Sequence, residues 1–199
     1  MTSSQKKALA SASRVFKRGD LYNMHTLEAI YAQESSFGKN LRRPGMNGAA
    51  GHFQHEKKTA QRLGMIVTKK NDERFKIKPS AKGEAQYIMI LDGIFKKGQS
   101  VSENITTISI RNSTERKNFV IAALNGGEGR IAKAQQATKK AGKDSGKWGD
   151  VKKFLEKAGA LKVKVKEISD FVDRVLSYEK QFSDNCHWIT KNGRHICIE

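Results

Sequence analysis

Apolar residues recur at helical spacing along most of this chain, and on one helix a carboxyl interrupts the apolar stripe. Leu27, Ile30 and Tyr31 share one face of a helix predicted over 25–38. Two turns after Leu27, the same face presents Glu34. Burial disfavours the charged form of a carboxyl and raises its pKa, so such a group can donate a proton to a leaving oxygen. The alternative is a solvated glutamate at the edge of a helix.

The rest of the chain is predicted to be mainly α-helical, with a small β-hairpin at the C-terminus. Ser80 and Ser113 are suitable N-caps for two of the helices. The stretch from Ile105 to Ile110 is β-branched and is expected to be extended. The predicted helices cover 5–17, 57–63, 80–95, 113–125, 150–158 and 165–182.

The charge of the chain is strongly positive. It has 199 residues, with 38 Lys and Arg against 20 Asp and Glu, for a formal net charge of +18. Such a balance attracts polyanions, either nucleic acid or an anionic cell envelope. The lysines are scattered and match no nucleic-acid-binding motif, so nucleic acid is not the expected partner. No stretch approaches the ~20 apolar residues of a membrane span, and no secretory signal peptide is expected over 1–20.

Both cysteines, Cys186 and Cys197, lie near the C-terminus, on either side of a strong hairpin signal at Asn192-Gly193. A two-residue turn there would place Cys197 opposite Trp188. A four-residue loop from Thr190 to Gly193 would place it opposite Cys186, at a spacing compatible with a disulfide. We predict the longer loop and the Cys186–Cys197 bridge. Two free thiols and a zinc site with the neighbouring histidines are the alternatives.

The order of the motifs is similar to that of a known family. Gln33-Glu34-Ser35 looks like a Glu-Ser motif, Gly51-His52-Phe53-Gln54 like a Gly-Leu-Met-Gln motif, and Ala123-Leu124-Asn125-Gly126-Gly127 like an Ala-Tyr-Asn-Ala-Gly motif. Glu167 and the stretch 171–176 resemble the closing helix. The chain therefore resembles the soluble lytic transglycosylase type of peptidoglycan-cleaving domain, related to goose-type lysozyme. The resemblance implies a lysozyme-like domain over 23–182, and the basic helical extension over 1–22 and the disulfide-closed hairpin over 183–199 lie outside it.

The resemblance implies cleavage of the β-1,4 bond between N-acetylmuramic acid and N-acetylglucosamine. Glu34 would act alone, first as acid and then as base, and release a 1,6-anhydro product. The alternative is an inverting muramidase in which Glu56, or less favourably Glu128, activates water, with the two carboxyls roughly 6.5–9.5 Å apart. Glu56 also suits the start of a helix, where an acid is favourable. A nucleic-acid-binding or glycan-binding module without catalysis is a further alternative.

The resemblance also implies a set of substrate contacts. No cofactor is expected, and no metal, because the histidines lack acidic partners at metal-ligand spacing. Ser35 would steady the glutamate or the sugar, or be a plain helix residue, and Phe53 would pack on a sugar face or fill the core. Leu124 and Phe171 stand where the family has tyrosines, which puts part of the contact set in doubt. The candidate substrate-binding residues are Ser35, Phe53, Gln54, Asn125, Gly126, Glu167 and Tyr178.

Peptidoglycan lies outside the cytoplasm, and the sequence shows no signal peptide. We therefore expect a monomeric antibacterial toxin or phage lysin that acts in the periplasm or cell wall. A specialised secretion system, a phage particle or cell lysis would deliver it. A toxin of this kind would need a cognate inhibitor or immunity protein in its producer.

Overall fold

The computed structural model describes residues 1–45 and 47–184, together with the strand backbones of 187–191 and 194–198. The architecture is mainly helical, with short antiparallel strand pairs, as the sequence predicted. The helices are α1 (Ser3–Ala12), α2 (Met24–Ser35), α3 (Lys57–Arg62), α4 (Ile77–Lys97), α5 (Ser113–Gly126), α6 (Glu128–Lys140), α7 (Trp148–Val151) and α8 (Lys162–Asp184), and the strands are β1 (Ser100–Ser102), β2 (Ile105–Thr106), β3 (His187–Lys191) and β4 (Arg194–Ile198).

The core lies where α2, α4, α5 and α8 meet. Helix α2 packs along α8, while α5 packs against both α4 and α8. Leu27 and Ile30 of α2 are almost fully buried in this core, as are Leu91 of α4 and Phe119 of α5. Burial of these apolar side chains is the main force that fixes the positions of the helices. Within the described residues, no helix is both long and apolar enough to cross a membrane.

Two helices begin earlier than predicted. Helix α4 begins at Ile77, so Ser80 lies inside the helix and is fully buried. Pro79 is tolerated in the first turn because its missing N–H would have had no helical partner there. Asn112, and not Ser113, caps α5, and its side chain accepts a hydrogen bond from the third helical N–H at 3.0 Å. Both predicted caps were therefore wrong.

The N-terminal helix packs onto the helical body. Helix α1 is shorter than predicted and ends at Ala12, before a 3-10 turn over Ser13–Val15. It packs against α4, and Leu9 is completely buried. The predicted extension over 1–22 therefore contributes to the same hydrophobic core as the rest of the domain.

The C-terminal strands pair in a different register from the one predicted. Lys191 pairs with Arg194, and Trp188 pairs with Cys197. The four-residue loop was therefore wrong, because this pairing leaves the two-residue connection for which Asn-Gly is the favoured sequence. The predicted Cys186–Cys197 bridge involves Cys186, which lies outside the described residues. Of the predicted extended stretch 105–110, the strand β2 covers only Ile105–Thr106.

Candidate active site

Glu34 lies in the last turn of α2 and is partly buried. Burial raises its pKa to about 8. The positive charges of Lys164 and Arg42 act to lower this pKa, and the negative charge of Glu167 acts to raise it. Burial outweighs the two cations, so Glu34 holds a proton at neutral pH. This is the protonation state that the apolar stripe of α2 predicts.

Ser35 fastens the end of α2 to the first glycine-rich loop. Its buried hydroxyl donates a hydrogen bond to the backbone oxygen of His52 at 2.7 Å and accepts one from the backbone N–H of Gly38 at 3.1 Å. The next two residues, Ser36 and Phe37, have φ angles of 50° and 58°, in the left-handed region. The chain therefore turns sharply just after the candidate acid. These bonds fix the end of α2, and the predicted role of Ser35 in steadying Glu34 or the sugar stays a prediction.

Gly51 allows the first glycine-rich loop to close. Its φ is +82°, and a Cβ there would lie 2.0 Å from the backbone oxygen of Arg74. Its N–H donates to the backbone oxygen of Leu41 at 2.9 Å. The amide nitrogen of Gln54 donates to the backbone oxygens of Gly51 (2.7 Å) and Asn40 (3.2 Å). Gln54 thus binds the loop, and its predicted contact with substrate stays a prediction.

A buried arginine, which could not be identified from the sequence, fixes the first glycine-rich loop by hydrogen bonds. Arg74 is completely buried and forms an ion pair with Asp72, with Nη2 and Oδ2 2.7 Å apart. Its Nη1 donates to the backbone oxygens of Gly48 (2.7 Å) and His55 (3.1 Å). Both ends of the loop are therefore fixed to one guanidinium. A buried charge needs this many partners to offset its lost hydration.

Phe53 points into the core. It is 3 % exposed and stacks on Tyr31, with ring centroids 5.2 Å apart. The core-filling alternative therefore describes Phe53, and a stacking contact with sugar does not fit this burial. The Tyr31 hydroxyl shares a hydrogen bond with His52 Nδ1 at 2.8 Å and accepts one from Gln5 of α1 at 2.9 Å.

The second glycine-rich stretch, at the end of α5, contacts α8 through its side chains. The side-chain nitrogen of Asn125 donates to Glu167 Oε1 at 3.1 Å, and Lys164 donates to the same oxygen at 2.8 Å. Burial acts to raise the pKa of Glu167, but these two hydrogen bonds together with the positive charges of Lys164 and Arg130 outweigh it and lower the pKa, so Glu167 is ionised. A Cβ on Gly126 would lie 2.9 Å from Ile168 Cδ1, so this glycine permits close helix packing. The roles of Asn125, Gly126 and Glu167 in binding substrate stay predictions.

A second buried carboxyl, also missed from the sequence, lies near Glu34. Glu84 of α4 is buried, and its Oε2 lies 3.4 Å from His55 Nε2. Burial raises the pKa of Glu84 well above its usual range, and the charge of Glu34 adds to this effect. Burial lowers the pKa of His55 to about 4. Burial therefore disfavours the charged form of both groups.

The remaining candidate residues are engaged elsewhere or exposed. Glu56 is exposed at the N-cap of α3, where an acid favours the helix, and no described contact links it to Glu34. Its role as a second catalytic carboxylate stays a prediction.

Glu128 accepts a hydrogen bond from the Tyr87 hydroxyl at 2.9 Å and pairs with Arg62 at 3.2 Å. Tyr178 stacks on a neighbouring ring of α8, with centroids 6.0 Å apart.

The family model for the transglycosylase SLT domain matches residues 17–146. This match spans more than half of the chain and includes Glu34, Gln54 and Asn125. The chain therefore belongs to the transglycosylase SLT domain family, whose members are peptidoglycan lytic transglycosylases and lysozyme-like glycosidases. It is thus an enzyme of this class and its substrate is peptidoglycan, as the motif order predicted. No curated protein matches the chain.

Proposed function

We propose that the protein cleaves the MurNAc-β-1,4-GlcNAc bond as a lytic transglycosylase in which Glu34 is the single catalytic carboxyl. The observation that carries this proposal is the position of Glu34, partly buried in the last turn of α2, where burial raises its pKa to about 8. The nearby carboxyls are poorly placed to activate water. Glu84 is buried, which raises its pKa and disfavours the carboxylate form that a base needs, and Glu167 already accepts hydrogen bonds from Lys164 and Asn125.

The proposed reaction has two proton transfers at Glu34. In the first, the protonated carboxyl gives its proton to the glycosidic oxygen while the bond from that oxygen to C1 of the muramyl residue breaks. In the second, the Glu34 carboxylate takes the proton of the 6-hydroxyl of the same residue, and that oxygen bonds to C1. The product is a 1,6-anhydro sugar, no water is consumed, and Glu34 ends protonated.

An inverting muramidase is the alternative that the exposure of Glu56 keeps open. In that reaction Glu34 would protonate the leaving oxygen, and Glu56 would take a proton from the attacking water. The exposed side chain of Glu56 is free to change conformation when substrate binds. The two reactions differ in their products by one water molecule, so the products discriminate between them.

The test is mass spectrometry of soluble fragments released from purified sacculi by the wild type, Glu34→Gln and Glu56→Gln. The lytic reaction predicts anhydro-muramyl ends from the wild type and from Glu56→Gln, and none from Glu34→Gln. Reducing ends that disappear in Glu56→Gln would establish the muramidase instead. If the wild type releases no fragments, the protein is a binding module, and nucleic acid is the next ligand to test.

We also propose a bacteriolytic role in the cell wall. The net charge of +18 supports it, because a cationic enzyme is retained on an anionic wall. Release with a phage particle or through a specialised secretion system fits this role, and a producing cell would then need an acidic inhibitor protein. Production of the wild type, but not of Glu34→Gln, in the periplasm of a test bacterium should lyse the cells. Intact cells with the wild type present in the periplasm would contradict the role.

A further inference from the structure

Two apolar side chains protrude from the turn that leads into α8. Leu161 and Val163 are each 80 % exposed, whereas the next most exposed large apolar side chain of the described residues, Ile66, is 50 % exposed. Single exposed apolar residues are ordinary on a protein surface, but two neighbouring ones with so little contact to the rest of the protein indicate an interaction surface. Both lie outside residues 17–146, so the family match does not account for them.

The backbone that carries these two side chains is fixed on both sides. Ala160, directly before Leu161, is buried, and its N–H donates to the backbone oxygen of Leu155 at 3.0 Å. The backbone oxygen of Leu161 accepts a hydrogen bond from the N–H of Val165, in the first turn of α8, at 2.9 Å. Leu161 and Val163 are therefore presented to solvent by a structured turn.

Lysines surround this turn. The stretch 152–166 contains six lysines and one acid, Glu156. Two of these lysines pair with acids of α8. Lys157 and Lys162 are exposed, and neither has a carboxylate within salt-bridge distance in the part of the chain that the structure describes. The turn therefore combines protruding apolar side chains with positive charge that no acid neutralises.

We propose that this turn binds the surface of an anionic lipid membrane. Leu161 and Val163 would insert at the boundary between the headgroups and the acyl chains, while Lys157 and Lys162 contact the anionic headgroups. Apolar and cationic side chains are combined in this way where a protein binds to that boundary without spanning the membrane. The peptidoglycan on which the family acts lies directly outside a lipid membrane, so the enzyme meets such a surface where it works.

Other partners fit these side chains less well. Leucine and valine have no groups that could hydrogen-bond the hydroxyl and acetamido groups of a glycan. A second copy of the chain would bring lysines against lysines, which repel. Two side chains also fall far short of the roughly 800 Å² per partner that a stable protein interface buries. A lipid surface is anionic, apolar below its headgroups, and needs no complementary shape.

The position of the turn gives membrane binding a consequence for the enzyme. Lys164 directly follows Val163 and donates a hydrogen bond to Glu167 of the candidate active site at 2.8 Å. The turn therefore adjoins the active site. An enzyme bound to the membrane through this turn would act on the glycan strands that lie closest to the membrane.

The experiment is flotation of the full chain with vesicles of two compositions, phosphatidylethanolamine with phosphatidylglycerol and phosphatidylcholine alone. The wild type should bind the anionic vesicles and not the neutral ones. The double variant Leu161→Ser/Val163→Ser should bind the anionic vesicles about tenfold more weakly or worse, because the inserted apolar surface is lost. Lys162→Gln should weaken the binding about fivefold, the contribution of one lysine close to an anionic surface.

Matched controls separate this turn from the general basicity of the protein. Ile66→Ser removes the next most exposed large apolar side chain, and Lys78→Gln removes the charge of an exposed lysine in the first turn of α4. Both controls should bind the anionic vesicles as the wild type does. The double variant should keep the melting temperature of the wild type, because side chains that are 80 % exposed contribute little to the stability of the fold.

Several results would overturn the proposal. If the double variant binds the anionic vesicles as tightly as the wild type, binding comes from net charge alone. If the wild type binds neither kind of vesicle, or both equally, the turn does not recognise an anionic membrane. If the double variant loses activity on soluble glycan strands, or converts a dimeric wild type into a monomer in sedimentation, the turn contacts glycan or a second copy instead. Glu34→Gln should bind vesicles as the wild type does, so the proposed function can fail separately.

Discussion

Replacement of Glu34 by glutamine should stabilise the folded protein, and the gain should grow with pH. The pKa of Glu34 is about 8 in the folded protein, against an ordinary value of 4.5. Below pH 4.5 the carboxyl is protonated in both the folded and the unfolded chain, so it favours neither. As pH rises from 4.5 to about 8, the unfolded chain releases the proton and the folded chain retains it. The stability of the wild type therefore falls over this window.

The size of the effect follows from the pKa. One pKa unit corresponds to about 1.4 kcal/mol, so the full difference at pH 7 is on the order of 3 kcal/mol. Glu34 is partly exposed, and solvent screening reduces this to about 2 kcal/mol. Glutamine has nearly the same shape and no charge, so Glu34→Gln removes this penalty. For a chain of this length the melting temperature at pH 7 should rise by roughly 4–8 °C.

The assay is thermal and urea unfolding of the wild type and Glu34→Gln at pH 4.5, 6 and 7.5, followed by tryptophan fluorescence. Glu56→Gln is the control, because Glu56 is exposed and its replacement should change stability by less than about 0.5 kcal/mol at each pH. The buried pair of Glu84 and His55 is present in all three proteins. If Glu34→Gln gains no stability over the wild type between pH 4.5 and 7.5, then Glu34 is not held protonated by burial and the proposed acid is wrong.

Further predictions concern activity and the loop that holds the acid. The kcat/KM of the wild type should fall as pH rises through about 8, because Glu34 then loses the proton that it must donate. A kcat/KM that continues to rise above pH 9 would contradict this prediction. Gly51→Ala should destabilise the fold by about 1–3 kcal/mol more than Gly64→Ala. Both glycines have a φ of +82°, but only a Cβ at position 51 would meet backbone, at 2.0 Å. Equal losses in the free energy of urea unfolding would refute the clash. Ser35→Ala should lower the free energy of unfolding by about 1–3 kcal/mol, because it leaves the N–H of Gly38 without its partner. It should also lower kcat, and an unchanged kcat would mean that the end of α2 does not position Glu34.

The parts of the site that follow from helical spacing could be predicted from the sequence. The stripe of Leu27, Ile30 and Tyr31 predicted which face of α2 is buried, and the position of Glu34 on that face predicted that burial would raise its pKa. The order of the glycine-rich motifs likewise predicted the family. These inferences hold because a helical face and a sequence motif are each defined by residues close together in the sequence.

The parts that depend on distant pairings could not be predicted. Nothing near Glu84 in the sequence marks it as the neighbour of His55, and nothing near Arg74 indicates that it fixes the first glycine-rich loop. Phe53 was ambiguous because the direction of its ring depends on the turn at Gly51, whose shape is set by contacts with a distant segment. The hairpin register was wrong because a disulfide was favoured over the preference of Asn-Gly for a two-residue connection.

The position of α8 has a consequence for the proton on Glu34. Lys164 and Glu167, whose charges act on the pKa of Glu34, belong to α8, and that helix packs along α2. A chain cut before α8 lacks this packing, and we expect its Glu34 to be hydrated, ionised at neutral pH and without a proton to donate. The acid therefore depends on two helices that are far apart in the sequence, and removal of α8 should abolish activity.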